Sequence, residues 1–156
     1  MASPTTELEG RTEVVTEHLN GYLADLHVVY GRLHSFHWNV EGRNFFTLHE
    51  KLQKLYEAVA EEIDEIAERV LMLGGRPVST LREYVEHSEL EEAPARAYQG
   101  DKVVRLVVDD FRYLVERNRA GIAAADEAGD AGTADLLTQS VRNYEKMVWM
   151  LQAYVG

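Results

Sequence analysis

The sequence predicts an all-α fold: a four-helix bundle with a short extra helix in the link between the second and third long helices. Three observations lead to this prediction. Apolar residues recur at intervals of three and four along four segments of roughly 22–30 residues, no segment shows the alternation of a strand, and a hydrophobic fraction of 46% supplies one large core. Helices of this number and length pack as a bundle.

The first helix is predicted from about Thr6 to Phe36. Its start is indicated by Ser3–Pro4 and by the pair Thr6 and Glu9, which has the spacing of a capping box. The turn-rich stretch 38–42 should end it. Its inward face is formed by Val15, Leu19, Tyr22, Leu23, Leu26, Val29, Tyr30 and Leu33.

The second helix has the clearest apolar stripe, and it ends at Gly74–Gly75 followed by Pro77. The stripe comprises Leu48, Leu52, Leu55, Val59, Ile63, Ile66, Val70 and Leu73. Beyond it, Thr80 and Glu83 again have the spacing of a capping box. They predict a short helix that runs to about Ser88.

An acidic segment at 89–100 is predicted to be a loop that leads to the third helix, at 101–128. The fourth helix is predicted at 133–154. If the link between the second and third helices crosses the length of the bundle, those two helices run parallel. No repeat or change of composition divides the chain, so residues 1–156 are expected to form one domain, with a short tail at 1–6.

The composition excludes several classes of function. Asp and Glu number 27 against 16 Lys and Arg, so the net charge is −11, and such a surface repels nucleic-acid phosphates. The absence of cysteine excludes disulfides, thiolate catalysis, zinc fingers and iron–sulfur clusters. No apolar run reaches the ~18–20 residues of a membrane span, and no signal pattern is found, so a cytoplasmic location is expected.

Two pairs of side chains could bind a metal. Asp64 and Glu68 are four residues apart on the second helix and share a face, although a solvated acidic surface would have the same pattern. His37 closes the first helix and His49 opens the second. Imidazoles and carboxylates without thiols suit Fe, Mn or Zn, and a structural role for both histidines is the alternative.

The spacing of these residues constrains any shared site. His49 and Asp64 are 15 residues apart, which is about 22 Å along a straight helix, so one metal cannot bind both in one chain. Either the two pairs are unrelated or an antiparallel two-fold partner completes the site. The Glu-x-x-His motif of the usual di-iron bundle centre within one subunit does not occur in the sequence.

The stretches 37–42 (HWNVEG), 48–50 (LHE), 64–69 (DEIAER) and 74–75 (GG), together with Phe45, resemble the Dps family of mini-ferritins. The spacing of 12 residues from His37 to His49, then 15 to Asp64 and four to Glu68, matches the ferroxidase pattern of that family. The resemblance continues through 133–137 and 149–151, and it covers the chain from about Thr6 to Tyr154.

The resemblance implies a ferritin-like bundle assembled into a hollow dodecamer with two iron ions at each two-fold interface. His37 and His49 would bind iron from one subunit, and Asp64 and Glu68 from its neighbour, with Glu68 as the bridge. Members of the family oxidise Fe(II), preferably with hydrogen peroxide rather than oxygen. They store the ferric mineral in the cavity and so protect against oxidative damage.

Several residues qualify this assignment. Many family members have an acidic residue four positions after the second histidine, where this chain has Gln53, and the change puts one contact of the second iron in doubt. His34, one turn before His37, is either a further ligand or a structural residue. Trp38 and Trp149 either intercept radicals near the iron, as the resemblance suggests, or pack in a core or an interface.

Three aspartates surround the turn between the third and fourth helices. In the family, acidic residues in this region line three-fold pores through which iron enters. Asp135 is the first candidate for that role, followed by Asp130 and then Asp126. The alternative is helix capping, because carboxylates are favourable near a helix N-terminus.

DNA binding is not expected, although some Dps proteins coat DNA through Lys-rich tails. The chain has four lysines, none of them before the first helix, and no basic extension after the fourth. Besides the ferroxidase and iron store, two functions stay open. One is a nucleoid-associated structural cage with a weakened iron site, which Gln53 alone favours. The other is a helical scaffold without metal.

Overall fold

Five helices account for most of the computed structural model, which describes Met1 and residues 3–156. The four long helices are α1 (Pro4–Asn39), α2 (Phe45–Met72), α4 (Gly100–Glu127) and α5 (Ala131–Val155), and the short one is α3 (Leu81–His87). Two-residue strands β1 (Val40–Glu41) and β2 (Tyr98–Gln99) complete the described secondary structure. The predicted bundle with an extra helix in the central link is confirmed.

The start of α1 follows from its first residues. The Ser3 hydroxyl accepts a hydrogen bond from the Thr6 backbone N–H at 3.3 Å. Pro4 occupies the first helical position, where a backbone N–H would have no acceptor within the helix, so proline loses no hydrogen bond there. The helix therefore begins two residues before the prediction, and Pro4 to Thr6, which were expected in the tail, are helical.

The two short strands establish the direction of the central link. β1 follows α1 and pairs in parallel with β2, which directly precedes α4, with Val40 opposite Tyr98. α4 therefore begins at the end of the bundle where α1 ends and α2 begins, so α2 and α4 run parallel and the link crosses the bundle, as in ferritin-like folds. The loop prediction for 89–100 missed β2 because two residues are too few for an alternating pattern.

The link contains the predicted short helix. Thr80 and Glu83 form a complete capping box, in which the Thr80 hydroxyl accepts from the Glu83 N–H at 3.2 Å and the Glu83 carboxylate accepts from the Thr80 N–H at 3.1 Å. The helix ends at His87.

All four long helices contribute to the hydrophobic core. Its largest fully buried side chains include Phe36, Phe111, Leu19, Leu33, Ile66 and Leu114. Most residues of the inward faces predicted from the three-and-four spacing are buried, and Tyr30, Ile63 and Leu73 are half-buried against the core. Among the described residues, no helix has the length and apolar character needed to cross a bilayer.

A buried ionic cluster fastens the link to the bundle. Asp25 of α1 is fully buried and accepts hydrogen bonds from Ser88 at 2.7 Å, from Tyr113 at 3.2 Å and from the Arg117 Nε at 2.8 Å. Burial raises the pKa of Asp25, and the three donors only partly offset that effect. Gly21 leaves space for Arg117, since a Cβ there would collide with the guanidinium.

A second polar cluster lies inside the bundle at Glu62. Its carboxylate accepts hydrogen bonds from Tyr22 at 2.6 Å, from Ser140 at 2.5 Å and from Tyr144. Burial raises the pKa of Glu62 despite these three donors. The cluster connects α1, α2 and α5 through hydrogen bonds to one carboxylate.

Candidate metal centre

His37 and His49 are brought together at one end of the bundle. His37 lies in the last turn of α1, and His49 lies in the second turn of α2. The connection between the helices is short because Gly42 adopts a left-handed φ of 116° and its carbonyl accepts from the Phe45 N–H at 3.1 Å. The two imidazole rings stack with centroids 3.7 Å apart and an interplanar angle of 13°.

Each histidine is held by the main chain of the other. The His37 Nδ1 lies 2.6 Å from the His49 carbonyl oxygen, and the His49 Nδ1 lies 2.7 Å from the His37 carbonyl oxygen. A carbonyl oxygen can only accept, so each Nδ1 carries a proton, and in the neutral form of each ring the lone pair is on Nε2. This is the tautomer in which histidine binds a metal, with the other ring nitrogen fixed by a hydrogen bond.

Asp64 and Glu68 are on the exposed surface of α2, away from the two histidines. Within the part of the chain that the structure describes, no three His, Asp or Glu side chains lie close enough to hold a metal ion. The four predicted residues therefore form two separate pairs in one chain. The about 22 Å expected between His49 and Asp64 accounts for this separation.

Comparison with known proteins identifies the family. Residues 16–156 match the model of the ferritin-like domain. The DNA protection during starvation protein 2 of Bacillus anthracis is 42% identical over 142 residues, which are 91% of this chain and 97% of that protein. The crystal structure of a Dps protein from Bacillus brevis superimposes with a TM-score of 0.91 at 40% identity and covers 100% of both chains. The chain belongs to the Dps family of ferritin-like proteins.

A second solved structure places the family in a wider group. The Dps protein from Vibrio cholerae O1, described as a member of a broad superfamily of ferritin-like diiron-carboxylate proteins, has a TM-score of 0.91 at 33% identity. The match covers 95% of this chain and 92% of that one. The resemblance inferred from the motifs is therefore confirmed for this Dps chain.

His34 packs among aromatic rings. It stacks on Trp38 with ring centroids 5.2 Å apart and meets the edges of Tyr56 and Tyr30 at 4.0 and 4.3 Å. Burial lowers the pKa of His34, and the neighbouring His37 adds to the effect. These contacts support the structural interpretation of His34 over that of a further ligand in this Dps chain.

Gln53 and Glu57 form a hydrogen-bonded pair on α2. The Gln53 amide nitrogen donates to the Glu57 carboxylate at 3.0 Å. Gln53 follows His49 by one turn and Glu57 follows Gln53 by another, so all three lie on one face. The sequence analysis noted Gln53 only as a departure from the Dps pattern, and the i, i+4 spacing to Glu57 was the signal that it missed.

Asp130 is the N-cap of α5. Its carboxylate accepts from the Thr133 N–H at 3.0 Å and from the Thr133 hydroxyl, and it forms an ion pair with Arg69 at 2.8 Å. Burial acts to raise the pKa of Asp130, but the hydrogen bonds from Thr133 and the charge of Arg69 outweigh it, and the pKa is lowered. The structure thus shows Asp130 in the capping role, which was the alternative to a pore residue.

Asp135 has a different environment. It is exposed in the second turn of α5 and lines a groove of about 320 Å³ that it shares with Glu65 and Glu68 of α2. Asp126 is exposed in the last turn of α4. Of the three aspartates near this turn, Asp135 is the one that shares a groove with a predicted iron ligand.

The two tryptophans are at the surface of the chain. Trp38 is 68% exposed and Trp149 is 65% exposed. Core packing is therefore wrong for both. Trp38 directly follows His37 and stacks on His34, whereas Trp149 lies on the outer side of α5, where Arg112 and Arg119 of α4 line the adjacent groove.

Proposed function

We propose that this Dps chain is a ferroxidase and iron store that protects the cytoplasm from oxidative damage. It would oxidise Fe(II), preferably with hydrogen peroxide, at sites between two-fold-related subunits, and it would store the ferric product inside a dodecameric cage. The observation that carries this proposal is the reciprocal bonding of His37 and His49, which holds the two stacked rings by their Nδ1 atoms and leaves Nε2 as the ring nitrogen that can bind iron.

The chemistry requires donors from two chains. His37 and His49 of one subunit would bind the Fe(II) substrate together with Asp64 and Glu68 of the other, and Glu68 would bridge the two ions. Imidazole nitrogens and carboxylate oxygens suit iron, and the carboxylates neutralise charge as Fe(II) becomes Fe(III). Two Fe(II) ions each give one electron, so one hydrogen peroxide and two protons yield two waters and release no hydroxyl radical.

Iron entry is the second part of the proposal. The net charge of −11 attracts cations to the chain. Asp135 would line the pore, and the groove that it shares with Glu65 and Glu68 would lead from there to the carboxylate half of the site. Asp130 is left out of this route because Thr133 and Arg69 occupy its carboxylate.

A mixing experiment tests whether the site is shared. His49→Ala and Asp64→Ala chains should each oxidise Fe(II) slowly. When the two variants are dissociated, mixed and reassembled, half of the pairs contain one chain of each kind, and each such pair has one intact site. About one quarter of the wild-type site number should return. If mixing restores nothing while each variant assembles normally, the site is not shared.

A stoichiometric experiment tests the oxidant. Protein loaded anaerobically with Fe(II) is treated with peroxide while oxidation is followed optically and hydroxyl radical is trapped. We expect about two Fe(II) oxidised per peroxide with little trapped radical. Slow oxidation with radical release would show that the second iron is not held, and the nucleoid-associated cage with a weakened site, which Gln53 favours, would replace this proposal.

DNA is not proposed as a partner. Phosphate contacts require Lys and Arg, and the chain has 16 of these against 27 acidic residues. In a gel-shift assay at about 0.15 M salt with chelator present, we expect free DNA to migrate unretarded. Retardation under these conditions would contradict this part of the proposal.

A further inference from the structure

Glu62 is an acidic residue on the inward face of α2. It follows Val59 by three residues and precedes Ile66 by four, which are the intervals of the apolar stripe. Carboxylates rarely occupy such positions unless they are paired with a positive charge. Within the part of the chain that the structure describes, Glu62 forms no ion pair, and the charge of Glu65 acts on it with the same sign. Glu62 is therefore a carboxyl group inside the bundle without a positive partner.

A cavity of about 270 Å³ between α2 and α5 leads to this carboxyl group. Its deep end is formed by the buried side chains of Phe111, Ser140 and Tyr144 and by the half-buried Glu62. Exposed side chains of α2 and α5, most of them polar, form its rim. The volume is just below the about 300–1,000 Å³ that is usual for sites of drug-sized molecules, so the cavity suits a smaller ligand.

The hydroxyl groups around Glu62 have no hydrogen left for a ligand. Tyr22, Ser140 and Tyr144 each have one hydroxyl hydrogen, and each makes its shortest hydrogen bond to the Glu62 carboxylate. Two of these bonds reach Oε2 and one reaches Oε1, so Oε1 and the three hydroxyl oxygens keep lone pairs that can accept. Asn118, a neighbour of Tyr22, has a further buried acceptor, its Oδ1 atom, with no partner among the described residues. A ligand that complements this surplus of acceptors brings hydrogen-bond donors and a positive charge.

The remaining walls of the cavity are apolar. Leu55 and Val59 of α2 are buried there, and Met147 of α5 is half-buried. At the deep end the rings of Phe111 and Tyr144 have centroids 4.9 Å apart and an interplanar angle of 53°, and aromatic faces attract cations. A hydrated metal ion would leave these walls without apolar contacts, whereas a cation with a short alkyl chain would cover them.

We propose that this cavity binds a small primary alkylammonium ion. The ammonium group has three N–H donors, which go to Glu62 Oε1 and to the hydroxyl oxygens of Ser140 and Tyr144, while the alkyl chain lies against the apolar walls. The exposed carboxylates of Glu61 and Glu65 at the rim attract cations to the entrance. The inference goes beyond the proposed iron chemistry, since none of the four proposed iron ligands lines this cavity.

A series of small probes tests the ligand class on the wild-type protein. Binding of butylammonium is measured by saturation-transfer difference NMR in about 0.15 M NaCl, which screens attraction to exposed charges. 1-Butanol has the same chain without the charge, and the ammonium ion has the charge without the chain. We expect saturable binding of butylammonium, with 1-butanol at least about tenfold weaker. The ammonium ion should displace butylammonium only at concentrations at least about tenfold higher, because both the charge and the chain contribute to affinity.

Three results of this series would overturn the proposal. Equal binding of 1-butanol and butylammonium would show an apolar cavity in which the carboxylate has no part. Displacement of butylammonium by Mg²⁺ at equal or lower concentration would show a site for inorganic cations. The absence of saturable binding would show that the cavity takes no alkylammonium ion. None of these results depends on a variant that might fold poorly, and none of them bears on the iron site.

A matched pair of variants then locates the bound cation. Glu62→Gln keeps the shape of the side chain and removes its charge, and we expect it to weaken butylammonium binding about 10–100-fold. Glu86→Gln changes the net charge equally at an exposed position of α3 outside the cavity, and it should bind as wild type does. Circular dichroism confirms the fold of both variants. Unchanged affinity in a folded Glu62→Gln protein, or an equal loss in both variants, would overturn the proposal.

Discussion

Replacement of Arg117 by Met should destabilise the bundle strongly. The Arg117 guanidinium is 2.8 Å from the Asp25 carboxylate, and the Asp25 side chain has 0% exposure. Removal of one partner from a buried ion pair costs about 3–5 kcal/mol. Because the Arg117 side chain is itself 24% exposed, we expect the lower end, a loss of about 3 kcal/mol in the free energy of unfolding.

The loss of stability in Arg117→Met should increase with pH. The folded pKa of Asp25 is raised by burial, so its contribution to stability is present below the unfolded pKa and is lost as the pH rises through the folded pKa. Without Arg117 the folded pKa rises further, since that charge lowers it. The difference between Arg117→Met and wild type should therefore be larger at pH 7 than near the ordinary Asp pKa of about 4.

Urea denaturation at a fixed protein concentration measures this effect, because association shifts apparent stability. The combined variant Asp25→Asn/Arg117→Met is the control, since it leaves no unpaired charge in the core. It should be more stable than Arg117→Met alone at pH 7. A loss below about 1 kcal/mol in Arg117→Met, or a loss independent of pH, would refute the argument from the buried carboxylate.

Three further predictions concern other parts of the fold. Thr80→Ala should cost about 1 kcal/mol and speed amide exchange in α3, whereas Ser79→Ala should leave exchange there unchanged. Tyr144→Phe should lower the free energy of unfolding by about 1.5–3 kcal/mol, because it removes a hydrogen-bond donor to the Glu62 carboxylate. Without this donor the pKa of Glu62, already raised by burial, rises further, so the loss of stability should become smaller as the pH falls toward the ordinary carboxyl pKa. A loss of stability that does not change with pH would contradict this. Asp130→Ala should lower the melting temperature, because it removes the N-cap of α5. Asp135→Asn should slow iron uptake and leave the melting temperature unchanged. Equal melting temperatures for the two variants would contradict the capping role of Asp130.

The bundle could be predicted because the apolar pattern that specifies its helices is periodic and lies within short stretches of sequence. Leu52, Val59 and Ile66 repeat on one face of α2, and all three are buried. The capping box at Thr80 and Glu83 depends on neighbouring residues, so it was visible in the sequence. β1 and β2 were not, because they pair Val40 with Tyr98 across 58 positions and two residues carry no pattern.

The candidate site could be predicted in part. Helix geometry predicted the separation of the two pairs, whereas the assignment of His37, His49, Asp64 and Glu68 to one iron site stays a prediction. The stacking of the two imidazole rings and their hydrogen bonds to main-chain carbonyls could not be predicted from the sequence, since they depend on how α1 and α2 cross. Asp130 was ambiguous because capping and iron entry favour the same carboxylate at the same place.

The hydrogen bonds that orient the two histidines run from side chain to main chain, so these bonds do not depend on the identity of the other side chain. His37→Ala removes one imidazole, yet the His37 carbonyl remains and still accepts from the His49 Nδ1. His49→Ala leaves the His37 ring anchored in the same way. Each histidine can therefore be substituted while the other keeps its hydrogen bond to the main chain, so a single substitution should remove one proposed ligand and leave the other in place.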